Sequence, residues 1–286
     1  MSSLVDGQQL LTRLLHSPRA RAVRVIVERT QGSAPRDAGT WMAVVEGSDE
    51  LIGTIGGGHL EFDAIAHANA LLAGTASEWQ RRYALGPSLG QCCGGVVHVR
   101  FELHNTDTRD ALRAQLAVEQ RSRMPVALFG GGHVGQAIAR ALAPLPISLH
   151  WIDSREGIFA DANALGLADW PANVVVEHAE PIQDAVQDLA PRSHVLIMSF
   201  SHAEDLDILF ACLLRRRALD DLRFIGLIGS KTKWATFQHR LLARGFTEAE
   251  CSHVTCPIGL SGIHGKEPEV IAALVAAQLL GLRRLD

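Results

Sequence analysis

Leu4, Leu10, Leu11, Leu14 and Leu15 recur at helical spacing, so the chain opens with an amphipathic helix ending near His16–Pro18. The β-branched run Val23–Val27 predicts a strand, and Thr40–Val45 and Leu51–Ile55 predict two more, joined by a turn at Gly47–Ser48. His59–Ala73 returns to the helical period, with Ile65, Leu71 and Leu72 on its apolar face. Val96–Leu103 alternates apolar with polar residues, as a strand exposed on one side does. Asp107–Gln120 then reads as a helix capped by Thr106 or Asp107.

Beyond the basic, proline-terminated segment Arg121–Pro125 the pattern changes. Val126–Phe129, Ile147–Ile152, Val174–Val176, Val195–Phe200 and Phe224–Ile228 are continuous apolar runs, the signature of parallel strands covered on both faces. Helical stretches separate them at Gly135–Leu142, Pro181–Leu189 and Leu206–Leu219, and Trp234–Ala243 follows the fifth. Pro181 and Pro268 stand at or just before helix starts, where a missing N–H is harmless. The expected fold is α/β: a smaller N-terminal α+β domain over residues 1–122, then a Rossmann-like doubly wound parallel sheet over residues 123–286. The last helix, Glu269–Leu282, follows a long glycine-rich loop and can pack back on the first domain.

Composition narrows the class. A chain of 286 residues can hold two domains, and 47% apolar with 20% charged residues marks it as globular and not disordered. A formal net charge of -4 argues against nucleic acid as a partner, because phosphate binding needs a basic surface. The N-terminal stretch MSSLVDGQQLLTRLL lacks the basic start of a secretory signal. The apolar tract Val270–Leu282 is too short to span a bilayer and contains Gln278. A cytoplasmic protein without a membrane partner is expected. Five cysteines, an odd count in a chain this long, do not read as a disulfide scaffold. Cys212 and Cys251 read as structural thiols, Cys256 precedes a proline loop, and only the pair Cys92–Cys93 stands apart.

The strongest chemical signal lies in Val126–Arg155. Gly130, Gly132 and Gly135 give G-x-G-x-x-G between a strand and a helix, and Asp153 ends the next strand about 20 residues on. The first glycine makes the tight turn, the second admits a phosphate, the third lets the helix approach the strand, and the acid can accept from a ribose hydroxyl. That geometry makes an NAD(P)-dependent oxidoreductase one reading. Its weakness is the missing catalytic set, since Tyr83, the only tyrosine, has no lysine four residues on.

Other stretches carry chemistry too. Pro35 stiffens the turn Gly32–Arg36, where Arg36 presents a fork suited to phosphate or carboxylate. Gly56, Gly57 and Gly58 precede a helix, which makes either an anion site or a close approach of two elements. Gln91, Cys92 and Cys93 precede two glycines; adjacent cysteines do not match structural zinc spacing, and suit a soft ligand, redox chemistry or simple burial. At the carboxyl ends of the later strands stand Ser199, Ser201, His202, Asp205 and Asp207, then Gly229, Ser230 and Lys231. The segment Cys256–Pro268 is not a P-loop, because its spacing fails and Glu267 occupies the Ser/Thr position.

Taken together, GSAPR (Gly32–Arg36), GTIGGGHLE (Gly53–Glu61), QCCGG (Gln91–Gly95), LFGGGHVGQA (Leu128–Ala137), IDSR (Ile152–Arg155), FIGLIGSKTK (Phe224–Lys233) and CPIGLSGIHGKEPEVIA (Cys256–Ala272) resemble the XdhC family of xanthine dehydrogenase accessory proteins, related to CoxI-type maturation factors. These segments span nearly the whole chain in family order. The resemblance implies a chaperone and not a catalyst. Such a protein holds the molybdenum cofactor (molybdopterin) while a cysteine desulfurase supplies its terminal sulfido ligand, then delivers it to apo-xanthine dehydrogenase. It further implies a homodimer, and cofactor contacts at Arg36, Gly56, Gly57, Gly58, Gln91, Cys92, Cys93, Gly130, Gly132, His133, Gly135 and Asp153, with the two cysteines shielding the molybdenum–sulfur centre. No resident metal ion is implied. Ser199–Ala203 departs from the threonine and His-Asp common in the family, so no role is carried over to that loop.

Overall fold

A computed structural model describes residues 4–15, 19–85, 94–159, 170–263 and 265–283. The chain divides into two compact units, residues 1–121 and 122–286.

The first unit is built on a five-stranded antiparallel sheet. Its strands are β1 (Ala22–Gln31), β2 (Trp41–Val45), β3 (Leu51–Gly53), β4 (Gln80–Ala84) and β5 (Val96–His104), in the order β3-β2-β1-β5-β4. The alternation in β5 sends Val97, Val99 and Phe101 to one face, where they pack with α2 (Gly58–Leu72) through Leu60, Ala64 and Ala68. The other face meets α1 (Leu4–Leu15) and α3 (Arg109–Arg121), with Leu10, Leu14, Leu112 and Leu116 closing that core. The expected N-terminal helix and strands are present. The strand β4 is not announced by periodicity, because its sequence QRRYA is polar and only Tyr83 is buried.

One buried polar group ties this sheet to α3. Arg24, 4% exposed, donates through Nη2 and Nε to Glu102 Oε2 at 2.7 and 3.1 Å, and Nη2 also reaches Gln115 at 3.2 Å. With the His104 ring 3.6 Å away and this guanidinium beside it, the Glu102 carboxyl is held at about 2. A carboxyl held lower in the folded than in the unfolded chain stabilises fully above its unfolded value, and that contribution fades as pH falls from about 4.5 towards 2. Its size is on the order of 2 kcal/mol after allowance for partial exposure. Glu102→Gln is therefore expected to flatten the acid limb of the unfolding curve between those pH values, measured by urea titration; an unchanged slope would refute it.

The second unit carries six parallel strands: β6 (Met124–Phe129), β7 (Ile147–Asp153), β8 (Val174–His178), β9 (His194–Ile197), β10 (Phe224–Leu227) and β11 (Val254–Thr255). Their order, β11-β10-β9-β6-β7-β8, is that of a doubly wound Rossmann sheet, with the reversal between β6 and β9. One face is covered by α4 (His133–Leu142) and α8 (Pro268–Leu282) around Ile138, Leu142, Val275 and Leu279. The other is covered by a 3₁₀ segment (Ile182–Asp188), α5 (His202–Leu219), α6 (Lys231–Ala243) and the one-turn α7 (Glu248–Cys251). The last helix, which the sequence left free to reach the first domain, finds its apolar stripe buried along α4 of its own unit. Cys212 and Cys251 are fully buried, and burial pushes the Cys212 thiol up to about 12, so it is inert. Among the described residues no helix is long and apolar enough to cross a membrane.

Candidate functional site

In the first unit three glycine-bearing stretches separated by tens of residues come together. The turn Gly32–Arg36 leaves β1, the loop Thr54–Gly57 leads from β3 into α2, and Gly94–Gly95 lead into β5. A Cβ on Gly95 would lie 2.3 Å from the Ser33 carbonyl oxygen and 2.6 Å from that of Gln31. A Cβ on Gly56 would lie 2.6 Å from Pro35 Cβ and 3.4 Å from Arg36 Cγ, and its φ of +121° is one that side chains rarely adopt. Backbone thus runs against backbone at Gly95 and against the Pro35 ring at Gly56, with no room for a methyl group at either, and Arg36 stands at the same place. Arg36 is exposed and makes no hydrogen bond or ion pair among the described residues, which leaves its guanidinium available to an anion. Gln91, Cys92 and Cys93 lie outside the described residues, and the chain re-enters the described structure at Gly94.

The glycine run before α2 differs from the open anion site its sequence suggests. Glu61 Oε2 accepts from Thr54 Oγ1 at 2.6 Å, Ile55 N at 2.9 Å and Gly57 N at 3.1 Å. The protein's own carboxylate fills the place an external phosphate would take, near the positive end of the helix. Gly56 therefore serves close packing and Gly57 donates to a built-in cap, so of the two uses the sequence left open for this run the structure shows close approach, with the loop neutralised by Glu61. Glu61→Ala leaves three donors without an acceptor and is expected to cost about 1–2 kcal/mol of unfolding free energy. Thermal melts of the variant would test this, and an unchanged midpoint would refute it.

In the second unit the loop after β6 has the predicted shape. Gly130 takes φ +125°, and a Cβ there would lie 2.0 Å from the Met198 carbonyl oxygen. A Cβ on Gly135 would lie 2.0 Å from the Gly130 carbonyl oxygen, so α4 can approach the turn only without a side chain there. Gly132, at the cap of α4, meets nothing within 4 Å and has no side chain capping it. His133 begins the helix and is exposed.

Asp153 does not sit as the ribose reading requires. It is 1% exposed and accepts four hydrogen bonds: from Gly131 N at 2.5 Å, Arg155 N at 2.8 Å, Arg155 Nε at 2.9 Å and Arg155 Nη2 at 2.8 Å. Burial pushes its pKa up, but the bonds from Arg155 and Gly131 outweigh that and hold it below the usual carboxylate value. A carboxylate has about four acceptor positions, so none remains for a ribose. Asp153 is here a clasp for its own glycine loop. Arg155 is oriented by it and lies 5.0 Å from the ring centre of Phe200, a residue 69% exposed.

The carboxyl edge of β9 and β10 holds a buried ion pair. Asp205 accepts from Ser199 N and Oγ, each at 2.8 Å, and from Lys233 Nζ at 2.6 Å, while Nζ also donates to the Ile228 carbonyl at 2.9 Å. The lysine in this group is Lys233, whereas the sequence had drawn attention to the exposed Lys231. Ser230 caps α6 through Lys233 N, which puts Lys233 one turn in, where its stem can fold back on Phe237; that cap was the available signal. His202 packs edge-on against Phe237 at 6.2 Å, a packing role. Cys256 is partly buried near this pair, and burial raises its pKa, against the pull of Lys233. Among the described residues no three His, Cys, Asp or Glu side chains are grouped to hold a metal ion.

Two family models match this chain. One, described as the XdhC Rossmann domain, covers residues 126–279, and one described as the XdhC and CoxI family covers residues 15–84. The chain belongs to the XdhC family. The chain is similar to a protein of Escherichia coli (strain K12) described as the uncharacterized protein YqeB, 26% identical over 263 residues, which are 89% of this chain and 42% of that one. The chain therefore spans well under half the length of that curated relative. A crystal structure described as a xanthine dehydrogenase from Bacillus halodurans is similar over 100% of this chain and 96% of that one, with a TM-score of 0.74 and 21% identity. That likeness establishes a common fold.

Proposed function

We propose that this XdhC-family protein is a molybdenum cofactor chaperone: it binds the molybdopterin cofactor, shields it while a cysteine desulfurase supplies the sulfido ligand, and passes it to apo-xanthine dehydrogenase. The observation that carries this reading is the convergence of Gly32–Arg36, Thr54–Gly57 and Gly94–Gly95 in the first unit. A pterin bearing a phosphate needs a cation and close backbone, and Arg36 beside glycine-only contacts supplies both. The Cys92–Cys93 pair enters the chain immediately before Gly94, so two soft thiols are tethered within a residue or two of that cluster. The already neutralised Glu61 loop narrows the phosphate partner to Arg36 and away from the α2 terminus. Gly132 leaves room for a second contact in the Rossmann unit. A homodimer in the cytoplasm is the state in which we place this activity.

The purified chain should bind molybdenum cofactor on titration, followed by the cofactor's fluorescence or by co-purification from a host that makes it. Arg36→Ala is expected to weaken binding by about tenfold, the effect of losing one charge-assisted contact, and Cys92→Ala/Cys93→Ala to abolish protection of the sulfido ligand. Cofactor affinity unchanged in both variants would remove this site from the proposal.

A further inference from the structure

Strand β4 is an edge strand whose outer side faces no other strand among the described residues. Its pairing with β5 fixes which groups look outward. Phe101 N donates to the Trp79 carbonyl and Leu85 N to the Gly95 carbonyl, both at 2.8 Å, so alternate residues from Trp79 to Leu85 bond inward. The period of two then turns the N–H and C=O of Gln80, Arg82 and Ala84 outward. Six backbone groups in a row thus have no strand partner among the described residues and can take an added strand.

The side chains beside that edge describe what the strand would carry. Arg82 makes no hydrogen bond or ion pair among the described residues, whereas its neighbour Arg81 lies 3.6 Å from Glu78. Between α2, which presents Asp63, Ala66, His67 and Ala70, and the strand residues Arg81–Ala84 runs a groove of about 710 Å³, so Arg82 borders it as well. Tyr83 lines it; the residue is 7% exposed, Arg81 lies 5.7 Å from its ring centre and is the group beside its hydroxyl, and the geometry leaves that hydroxyl without a full hydrogen bond among the described residues. A buried hydroxyl left without a partner is costly, and a ligand that supplies one gains accordingly.

A second copy of the chain is a poor occupant. Antiparallel pairing of β4 with itself about its middle residue would set Arg82 directly opposite Arg82 of the copy, and like charges there oppose association. We propose that the outer edge of β4 receives an extended acidic segment of a partner protein as a sixth strand, with acidic residues opposite Arg82 and small hydrogen-bonding side chains in the groove against Tyr83. Residues directly opposite in an antiparallel pair share a face, so each acidic residue facing Gln80, Arg82 or Ala84 also makes the backbone bonds. Its small neighbours point their N–H groups away.

This arrangement has a specific test on the full chain. A fluorescently labelled peptide alternating glutamate and threonine is titrated and its anisotropy read, beside a counterpart alternating lysine and threonine. The acidic peptide is expected to bind with an affinity that falls as salt rises, and the basic one not to bind. N-methylation of the glutamates should weaken binding by roughly tenfold or more, while N-methylation of the threonines should leave it intact. Arg82→Glu should reverse the preference between the two peptides with an unchanged circular dichroism spectrum. The proposal is overturned if neither peptide binds, if both methylation patterns do equal harm, or if sedimentation finds a dimer that Arg82→Glu dissolves, which would give the edge to a second copy.

Discussion

Replacing Lys233 by methionine is expected to lower the unfolding free energy of the Rossmann unit by about 3–5 kcal/mol. Asp205 and Lys233 have side chains only 3% and 11% exposed, and their 2.6 Å bond is the charge balance of that interior. Methionine retains a stem of similar length to pack on Phe237 but leaves the Asp205 carboxylate buried with only the Ser199 donors. Desolvating an unpaired charge costs far more than the pair ever contributes, so the loss comes from the partner left behind. Adding Asp205→Asn to this variant removes the charge while its amide oxygen still accepts from Ser199, and more than half of the loss should return. Urea denaturation of the full chain measures both. A Lys233→Met loss within about 1 kcal/mol, or no recovery in the double variant, would show that water reaches and screens the pair.

Gly95→Ala should disturb both stability and cofactor retention. The added methyl would lie 2.3 and 2.6 Å from two carbonyl oxygens of the turn Gln31–Ser33, and these are backbone atoms that cannot swing aside. Strand β1 and the start of β5 must then separate, at a cost of about 2–4 kcal/mol. The same displacement moves the turn carrying Arg36 away from the end of the cysteine stretch. If the cofactor sits there, its retention should fall by more than the stability loss alone explains. Comparison with Glu61→Ala, which loosens the neighbouring loop without separating those segments, isolates the effect. Equal cofactor retention in Gly95→Ala and the unaltered chain would argue that this junction is only structural.

Much of this could be read along the chain, and the reasons are local. The α4 loop follows from Gly130 and Gly135 because positive φ at the first and side-chain-free packing at both are demands that a few successive residues express by themselves. The apolar runs of β6, β7, β9 and β10 announce a covered parallel sheet for the same reason: burial on both faces imposes one residue class at every position. The strand β4 escaped, since an edge needs no alternation and Arg81–Arg82 contradicts it; only its pairing with β5 makes it a strand. The helix expected at Pro181–Leu189 is a 3₁₀ segment over Ile182–Asp188, a difference that packing against α5 settles and periodicity does not.

The amino-acid order by itself determined most of the succession of elements, the Rossmann turn and the family, because each rests on short-range stereochemistry or on motifs contiguous in the chain. Tertiary structure alone decided which charges are already answered. Glu61 closes the glycine loop before α2, Arg155 and Gly131 saturate Asp153, and Lys233, not Lys231, meets Asp205. Donors and acceptors recognise each other only within about 3 Å, and sequence does not carry that distance when the partners stand on different elements. The same gap hid the meeting of Gly32–Arg36 with Gly95, whose closeness is a property of two strands lying side by side.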